Sequence, residues 1–582
     1  MSLAQEKNAS AEPDVHYVGK ESMTGGQDHL KDDIESVDSD HKQHGVKKVE
    51  AVTTVWSDKM LWIVFALLYL VSFVDVLLQS VQGNLVPYVT SEFQQHGLLA
   101  TTSIVSSILG GVITPTIAKI TDIRGRTEGF LYMLLLIVIG MIMKATCQNV
   151  ETYAAAQTFY WVGHTGLLYI ITIMISDMTS LRNRMIMISI NSTPLIASTF
   201  AGPKIAELFL NNLNFRWAFG AFTIILVAFS LPVILILYLT EAKAKKQGLI
   251  QPRLKTRSVA ASLKYYFIQF DVVGLLLLTA GWSLLLLPFS LVSSALNGWE
   301  SATVICMIVF GVVTLGLFVV WERFFATVSL FPYKFLKDPT VLGASFAYGI
   351  MFLSIFVWDT YYYSYLQVAH FQDIASAGYI LNTFSLTSAI VSPIISVFIR
   401  YTGQFKWPTI VVGIPFILLG TGLLIHFRTP GTSVGYLVMC QFFNGVGTSF
   451  IATCGQLAVM AAVSHQEIAM ALAFFSLCGS IGAAIGMAIA GGLWTNLLRN
   501  AIYDNLPAVS KDLTDTIYAD MRMQLFYENG DPIRMAIIDA YGDVQRKMVI
   551  TGAAFVPLLL ITVLMWRNIN VKEKRQTVGN VW

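Results

Sequence analysis

The sequence predicts an all-α polytopic membrane protein. Apolar residues make up 55% of the 582 and charged residues only 13%, with a mean hydropathy of +0.62; soluble domains carry about 25% charged residues. Apolar runs recur at the length of about 20 residues that crosses a hydrocarbon core ~30 Å thick. The runs are continuous rather than alternating, which argues against a membrane β-barrel. The lipid bilayer is therefore the first partner implied. A net charge of +2 gives no sign of a nucleic-acid partner.

Taken in order, residues 1–55 come first. They hold eleven Asp and Glu against six Lys and no apolar run, which reads as a disordered tail. The tail lacks the basic and apolar segments of a cleaved signal peptide. Within ESVDSD, Ser36 and Ser39 sit among acids, and His41 and His44 follow; solvation is the plain reading of all four. Fourteen spans then follow, at about 60–82, 98–119, 129–147, 153–177, 185–208, 217–239, 271–292, 302–324, 341–364, 377–399, 408–427, 434–461, 468–494 and 548–567. Basic loops alternate with bare ones. KITDIRGRTEG, SLRNR and the stretch from Glu241 to Lys264 are basic, whereas NLVPYVTSEFQQHG and SSALNGWES carry no Lys or Arg. The alternation predicts an even number of spans with both termini in the cytoplasm. A long outer connection is expected over 495–547. In it, Leu513, Ile517, Met521 and Leu525 would form one stripe of a helix over 508–527, and a second short piece would start at DPIRMAIIDAYGDVQRK.

Asp75 is the first residue that needs a chemical reason. A charge in mid-membrane costs at least ~2.5–3.5 kcal/mol on insertion scales. At 100° per residue, Ser72, Asp75, Gln79 and Gln82 fall within an arc of about 80°. Such a stripe borders a wet cavity or ties two helices together. On the first reading Asp75 is the leading proton-carrying candidate, because burial favours the protonated acid, and Gln79 and Gln82 line the cavity. His164, within FYWVGHTGLLYI, is a second proton-relay candidate, against a neutral histidine bonded to a neighbouring helix. Asn382, Gln441 and Asn444 are further polar residues inside spans. Tyr361, Tyr362, Tyr363 and Tyr365 crowd the end of the ninth span beside Trp358 and Asp359. They wrap all sides of a helix, so beyond an interfacial belt some should offer flat faces with hydroxyl tips to a bulky amphipathic ligand. Tyr518, Phe526 and Tyr527 are candidates for an outer capture surface. The five cysteines lack paired short spacing and read as free thiols rather than disulfides or a zinc site. Gly482 and Gly486 form a GxxxG that lets helices approach closely.

No P-loop, HExxH or G-x-S-x-G is present, so neither ATP hydrolysis nor a soluble-type enzyme activity is indicated. No cofactor and no protein-bound metal are expected. The energy for transport would come from an ion or substrate gradient.

AKITDIRGRTEG resembles the loop signature G-x-x-x-D-x-x-G-R-R/K of the major facilitator superfamily through Asp122, Gly125 and Arg126; Ala118 and Thr127 depart from it. The resemblance implies that Asp122 and Arg126 brace the inner gate, with Asp177, Arg182 and Arg184 of ISDMTSLRNR as charge-relay partners. It also implies two six-helix bundles, 56–240 and 325–567, joined by a basic cytoplasmic loop over 241–270 and a central helix pair over 271–324, with a cytoplasmic tail over 568–582. AGPKIAE is faintly similar to a fifth-span motif of drug/proton antiporters. Over nearly the whole chain, SFVDVLLQSVQGNLVPYVTSEFQQHGLL, DMTSLRNR, NFRWAFGAF and YYYSYLQV…SAGYILNTF resemble the fungal siderophore–iron transporters.

That resemblance implies a monomeric proton symporter of the plasma membrane or of endosomal vesicles. It would import ferric hydroxamate siderophores, fusarinine and triacetylfusarinine C types favoured and ferrichrome types the alternative. The cargo is a substrate that already holds its iron, so the protein needs no metal ligands. A multidrug/proton antiporter of the same fold and a nutrient or siderophore sensor on a transporter scaffold are the rival readings.

Overall fold

The computed structural model describes residues 56–93, 99–248, 259–292, 295, 297–330, 332–464 and 467–573. The acidic tail with Ser36, Ser39, His41 and His44 lies outside them, as do the middle of the basic 241–270 loop and residues 574–582. Among the described residues there is no strand, and fourteen helices are long and apolar enough to cross a membrane.

These are α1 (Asp58–Glu92), α2 (Leu99–Arg124), α3 (Arg126–Thr146), α4 (Val150–Asp177), α5 (Asn183–Asn212), α6 (Phe215–Lys246), α7 (Val272–Leu291), α8 (Ala302–Phe325), α9 (Pro339–His370), α10 (Ile374–Thr402), α11 (Lys406–Phe427), α12 (Val434–Ala462), α13 (Ile468–Asn505) and α14 (Pro532–Leu564). Local signals start several of them. Asn149 and Asn214 accept backbone N–H bonds at the starts of α4 and α6, as Asp338, Asp373 and Asp531 do for α9, α10 and α14. Proline stands at the first helical position of α9 and α14.

Three helices are broken where their backbones must bend, one of them α14 at Val556–Pro557. α5 is interrupted at residues 192–193, just before Pro194, and α9 between Asp359 and Tyr362. Gly125 (φ 117°) makes the single-residue turn between α2 and α3, a conformation that glycine alone adopts without strain.

α7 and α8 pack mainly on each other, and α7 also leans on α2 and α13. The rest of the core joins the first six helices to the last six. α2 packs along α13, and α5 along α10. A Cβ on Gly482 would stand 2.0 Å from the carbonyl oxygen of Gly349, and one on Gly486 2.6 Å from that of Leu353, so the α13 glycines bring α13 against α9. All five cysteines are free; Cys306 is exposed, and Cys147, Cys440 and Cys454 are buried.

The connection before the last span is shorter than its hydropathy suggests. α13 runs on to Asn505 and α14 begins at Pro532. Polar residues such as Arg499, Asp504, Asp539 and Asp543 end the apolar windows without ending the helices. DPIRMAIIDAYGDVQRK is thus the opening of α14, not a separate piece. The expected helix over 508–527 is three short turns, Ala508–Leu513, Thr514–Ala519 and Met521–Phe526, interrupted at the extended Asp520. Ile517 and Met521 are fully buried beneath it, while Leu513 is exposed.

Candidate functional site

A cavity of about 500 Å³ lies between the two halves. α1 contributes Gln79, and α2 contributes Ser103, Ser106 and Ser107. From α4 come Gln157, Trp161, His164 and Thr165; from α9, Tyr348, Phe352 and Phe356; from α12, Gln456; and from α13, Phe475, Ser476 and Ser480. Flat aromatic faces therefore alternate with amides and hydroxyls. Tyr348 stacks on Phe475 with ring centroids 4.1 Å apart.

The polar stripe of α1 divides among four partners. The amide nitrogen of Asn191 on α5 donates to Ser72 Oγ at 3.1 Å, a helix-to-helix tie. Asp75 is fully buried, with Oδ2 2.7 Å from His164 Nδ1, and His164 faces the cavity. Gln79 lines the cavity directly. Gln82 accepts from Lys144 Nζ. One stripe thus serves both purposes weighed for it: it glues α1 to α5 at one point and faces the cavity at another.

Lys144, near the end of α3, was not legible as a site residue. It has no exposed surface, donates to the side-chain oxygens of Gln82 and Gln157, and lies 4.3 Å above the Tyr160 ring. Tyr160 in turn stacks on the His164 ring, centroids 5.6 Å apart at 17°. Lysine, tyrosine, histidine and aspartate thus form one buried cluster beside the cavity.

The tyrosines of α9 stand elsewhere. Tyr361, Tyr362, Tyr363 and Tyr365 are buried and do not border the cavity. Tyr361 stacks on Trp494 at 3.9 Å, and Tyr362 lies 3.9 Å under the guanidinium of Arg428, a second fully buried cation. Gln441 and Asn444 are buried in α12, where Thr421 of α11 donates to Asn444 Oδ1 at 2.8 Å; Asn382 is half-buried on α10. These four tyrosines, Gln441 and Asn444 would need a rearrangement of α9 and α12 to meet a ligand.

Both ends of the cavity are bridged. At the end that bears the basic loops, Arg126 Nη1 bonds Asp122 Oδ1 at 2.8 Å and Arg126 Nε bonds Asp177 Oδ2 at 3.1 Å, joining α2, α3 and α4. Arg184 is buried and donates to the Thr179 carbonyl at 3.2 Å; the side chain of Arg182 lies outside the described residues. Among the described residues, bonds cross between the halves at this end: the Tyr169 hydroxyl donates to the Ala469 carbonyl at 2.6 Å, and the Ser189 and Ser396 hydroxyls meet at 2.8 Å. Close by, burial opposes ionisation of Glu467, but hydrogen bonds from Ser464 and Lys334 outweigh it and hold the carboxyl below its ordinary range.

At the far end, the Tyr88 hydroxyl of α1 donates to Gln367 Oε1 of α9 at 2.6 Å. The short turns over 508–526 are tied to this point. Arg534 donates to the carbonyls of Gln524 and Gln367, Tyr541 donates to Gln524 Oε1 at 2.5 Å, and Arg522 pairs with Glu92 at 3.1 Å. Phe526 is exposed, with Tyr527 in edge contact with it, while burial pushes the Tyr518 phenol up to about 12.

The Major Facilitator Superfamily profile matches residues 68–366 and 340–503. A siderochrome iron transporter 1 of Ajellomyces capsulatus is 52% identical over 97% of this chain and 98% of its own. The siderophore iron transporter mirB of Emericella nidulans is 41% identical, over 99% and 97%. Among solved structures, a bacterial homologue of the lysosomal transporter Spinster, inward-facing and occupied, superposes with a TM-score of 0.54 at 13% identity, over 90% of this chain and 99% of its own. The peptide transporter POT with alafosfalin gives 0.52 at 14%, over 90% and 99%. At such identities these two speak for the fold alone. The profile, the near full-length relatives and the Asp122–Arg126–Asp177 brace agree: this chain belongs to the Major Facilitator Superfamily, among its fungal siderochrome iron transporters.

Proposed function

We propose that this chain is a proton-coupled importer of ferric hydroxamate siderophores, with fusarinine and triacetylfusarinine C types favoured over ferrichrome types. It works by alternating access in the plasma membrane, as a monomer with both termini in the cytoplasm, and endosomal vesicles are a further location. The observation that carries the reading is the pairing of Asp75 with His164, a residue that opens on the interdomain cavity. A buried carboxyl beside a wet passage is where a proton can be taken up and released.

The cavity suits the cargo. A ferric tris-hydroxamate is compact, often neutral and patchy in polarity, and the lining offers aromatic faces, amides and hydroxyls. A neutral cargo gains nothing from the membrane potential by itself; a co-transported proton adds ~2.3 kcal/mol per 100 mV. The two halves rock about the cavity. The Asp122–Arg126–Asp177 brace and the Tyr169 and Ser189 bonds close the cytoplasmic side, and Tyr88–Gln367 closes the outer side. Tyr518, Phe526 and Tyr527 sit on the outer turns, where cargo first arrives.

The test is radio-iron uptake from a panel of purified chelates, in cells lacking their own carriers, with and without a protonophore. Saturable uptake that the protonophore abolishes is expected, with fusarinine-type chelates preferred. Accumulation that rises with the protonophore would mean export and would overturn the reading.

A further inference from the structure

The basic connection between α6 and α7 contains a helix, Val259–Gln269, that takes no part in the cavity or in the bonds at its ends. It stops just short of a membrane span. Phe270 and Asp271 form the turn, with Asp271 in the left-handed region at φ 46°, and the apolar α7 begins at Val272. The turn is fixed by side-chain bonds: Asp271 Oδ1 accepts from Trp321 Nε1 of α8 at 2.8 Å and from the Gly274 amide at 3.3 Å. Aromatic rings mark the same level. Trp321 stacks on Phe325 with centroids 6.0 Å apart, and Phe324 and Phe325 are exposed. Such rings gather where hydrocarbon meets the headgroups, so the helix lies at the membrane surface on the side of the basic loops.

The helix has two different sides. At 100° per residue, Phe267, Lys264 and Ile268 fall within an arc of about 100°, and Tyr266 stands about 100° beyond its edge. Phe267 is 50% exposed and Ile268 38%, and Lys264 between them is exposed as well. Tyr266 meets the protein instead. Arg124 Cζ lies 5.0 Å from its ring centroid, and the ring stacks on Phe270 at 5.6 Å. Arg124 also donates to the Tyr132 hydroxyl at 2.6 Å, and it stands two residues before Arg126 of the Asp122–Arg126–Asp177 brace.

The exposed side asks for a partner that is both apolar and anionic. Two apolar side chains flank one ammonium, the pattern of a helix lying in the interface whose lysine reaches out of the acyl boundary to the headgroups. The charge at this end is positive: Lys243 and Lys246 are exposed at the end of α6, and Arg323 is exposed near the end of α8. The carboxylates of the same region are engaged. Asp271 holds the turn, Glu322 accepts from the Leu330 amide at 2.9 Å, and Glu241 accepts from Lys245 at 2.6 Å. A phospholipid with net negative charge supplies both features, an acyl chain for the two apolar side chains and a phosphate for the lysine.

We propose that the helix Val259–Gln269 is a docking surface for anionic phospholipids of the bilayer: Lys264 meets the headgroup phosphate, Phe267 and Ile268 enter the acyl boundary, and Tyr266 passes this seating to Arg124. Bound lipid thereby steadies the chain on either side of Gly125, and with it the Arg126 brace. The assignment depends on neither the cargo nor the coupling ion.

The experiment uses the purified full chain and two readouts. In vesicles of phosphatidylcholine and phosphatidylserine, a bimane on I268C, in a C306S background because Cys306 is exposed, is quenched by doxyl-labelled lipid. In detergent, added phosphatidylserine raises the unfolding temperature of the wild type, as a ligand of the folded state does, and phosphatidylcholine raises it less. K264Q needs about fivefold more phosphatidylserine for the same rise, K264R matches the wild type, and F267S weakens the response. Y266L keeps the quenching and loses the rise. An unquenched probe overturns the proposal, and so does an unchanged response in K264Q and F267S or an undiminished rise in Y266L. An equal rise with inorganic phosphate would make this a site for a soluble anion, and a dimer that F267S dissolves would make it a contact between copies; either result overturns the lipid assignment.

Discussion

Asp75 and Arg126 make different demands on their surroundings. Asp75 lies 2.7 Å from His164, which stands on the cavity wall. D75N keeps the shape and hydrogen bonding of the site but cannot exchange a proton. Cargo binding and exchange should therefore survive while uphill accumulation collapses, as radio-iron accumulation and counterflow would report; undiminished accumulation would remove Asp75 from the coupling step. Arg126 holds two carboxylates, Asp122 and Asp177, in a site where all three side chains are about nine-tenths buried. R126A leaves both acids unpaired, and breaking a buried pair costs ~3–5 kcal/mol. A lowered unfolding temperature in detergent is expected, with R126K recovering part of the loss. The acid and the signature arginine could be read from sequence because their chemistry is conspicuous in an apolar run or a known loop. Lys144 and Arg428 could not. Each stands at the edge of a span, where a long basic side chain ordinarily reaches the headgroups, and only packing turns both inward.

At the scale of elements, helix positions were legible to within a few residues because hydropathy and capping are local. The exceptions have definite causes. α1, α6, α13 and α14 outrun their apolar windows, since a helix does not stop where lipid does. α9 is broken at Asp359–Tyr361, beside the buried Arg428, and no proline or glycine marks the place. The glycine pairing of α13 was legible as close packing; its partner, α9, was not. Gly482 lies so close to the Gly349 carbonyl that G482A must push the helices apart. A loss of ~1–3 kcal/mol is expected from overpacking, read as reduced thermal stability, whereas G220A, with open space around its Cβ, should leave stability nearly unchanged.

For the whole molecule, function depends on the balance between contacts that bridge the two ends. Tyr88–Gln367 and Glu92–Arg522 hold the far end; Tyr169–Ala469 and Ser189–Ser396 hold the basic-loop end. Removing one cross-half bond with Y88F forfeits ~1 kcal/mol from the closed far end, about a fivefold change in population. A cysteine at position 79 should then react faster with a membrane-impermeant thiol reagent added outside, and Y169F should slow it; equal rates in both would mean that these bonds do not set the balance. The sequence by itself determined the class of molecule, the number of spans, the signature loop and the family resemblance, because hydropathy and short motifs are properties of neighbouring residues. Only the tertiary structure decided which polar residue faces the cavity, which ties two helices together and which sits beneath a buried cation, because that depends on how each helix is rotated about its axis and on the partner it meets across the interface, neither of which neighbouring residues specify.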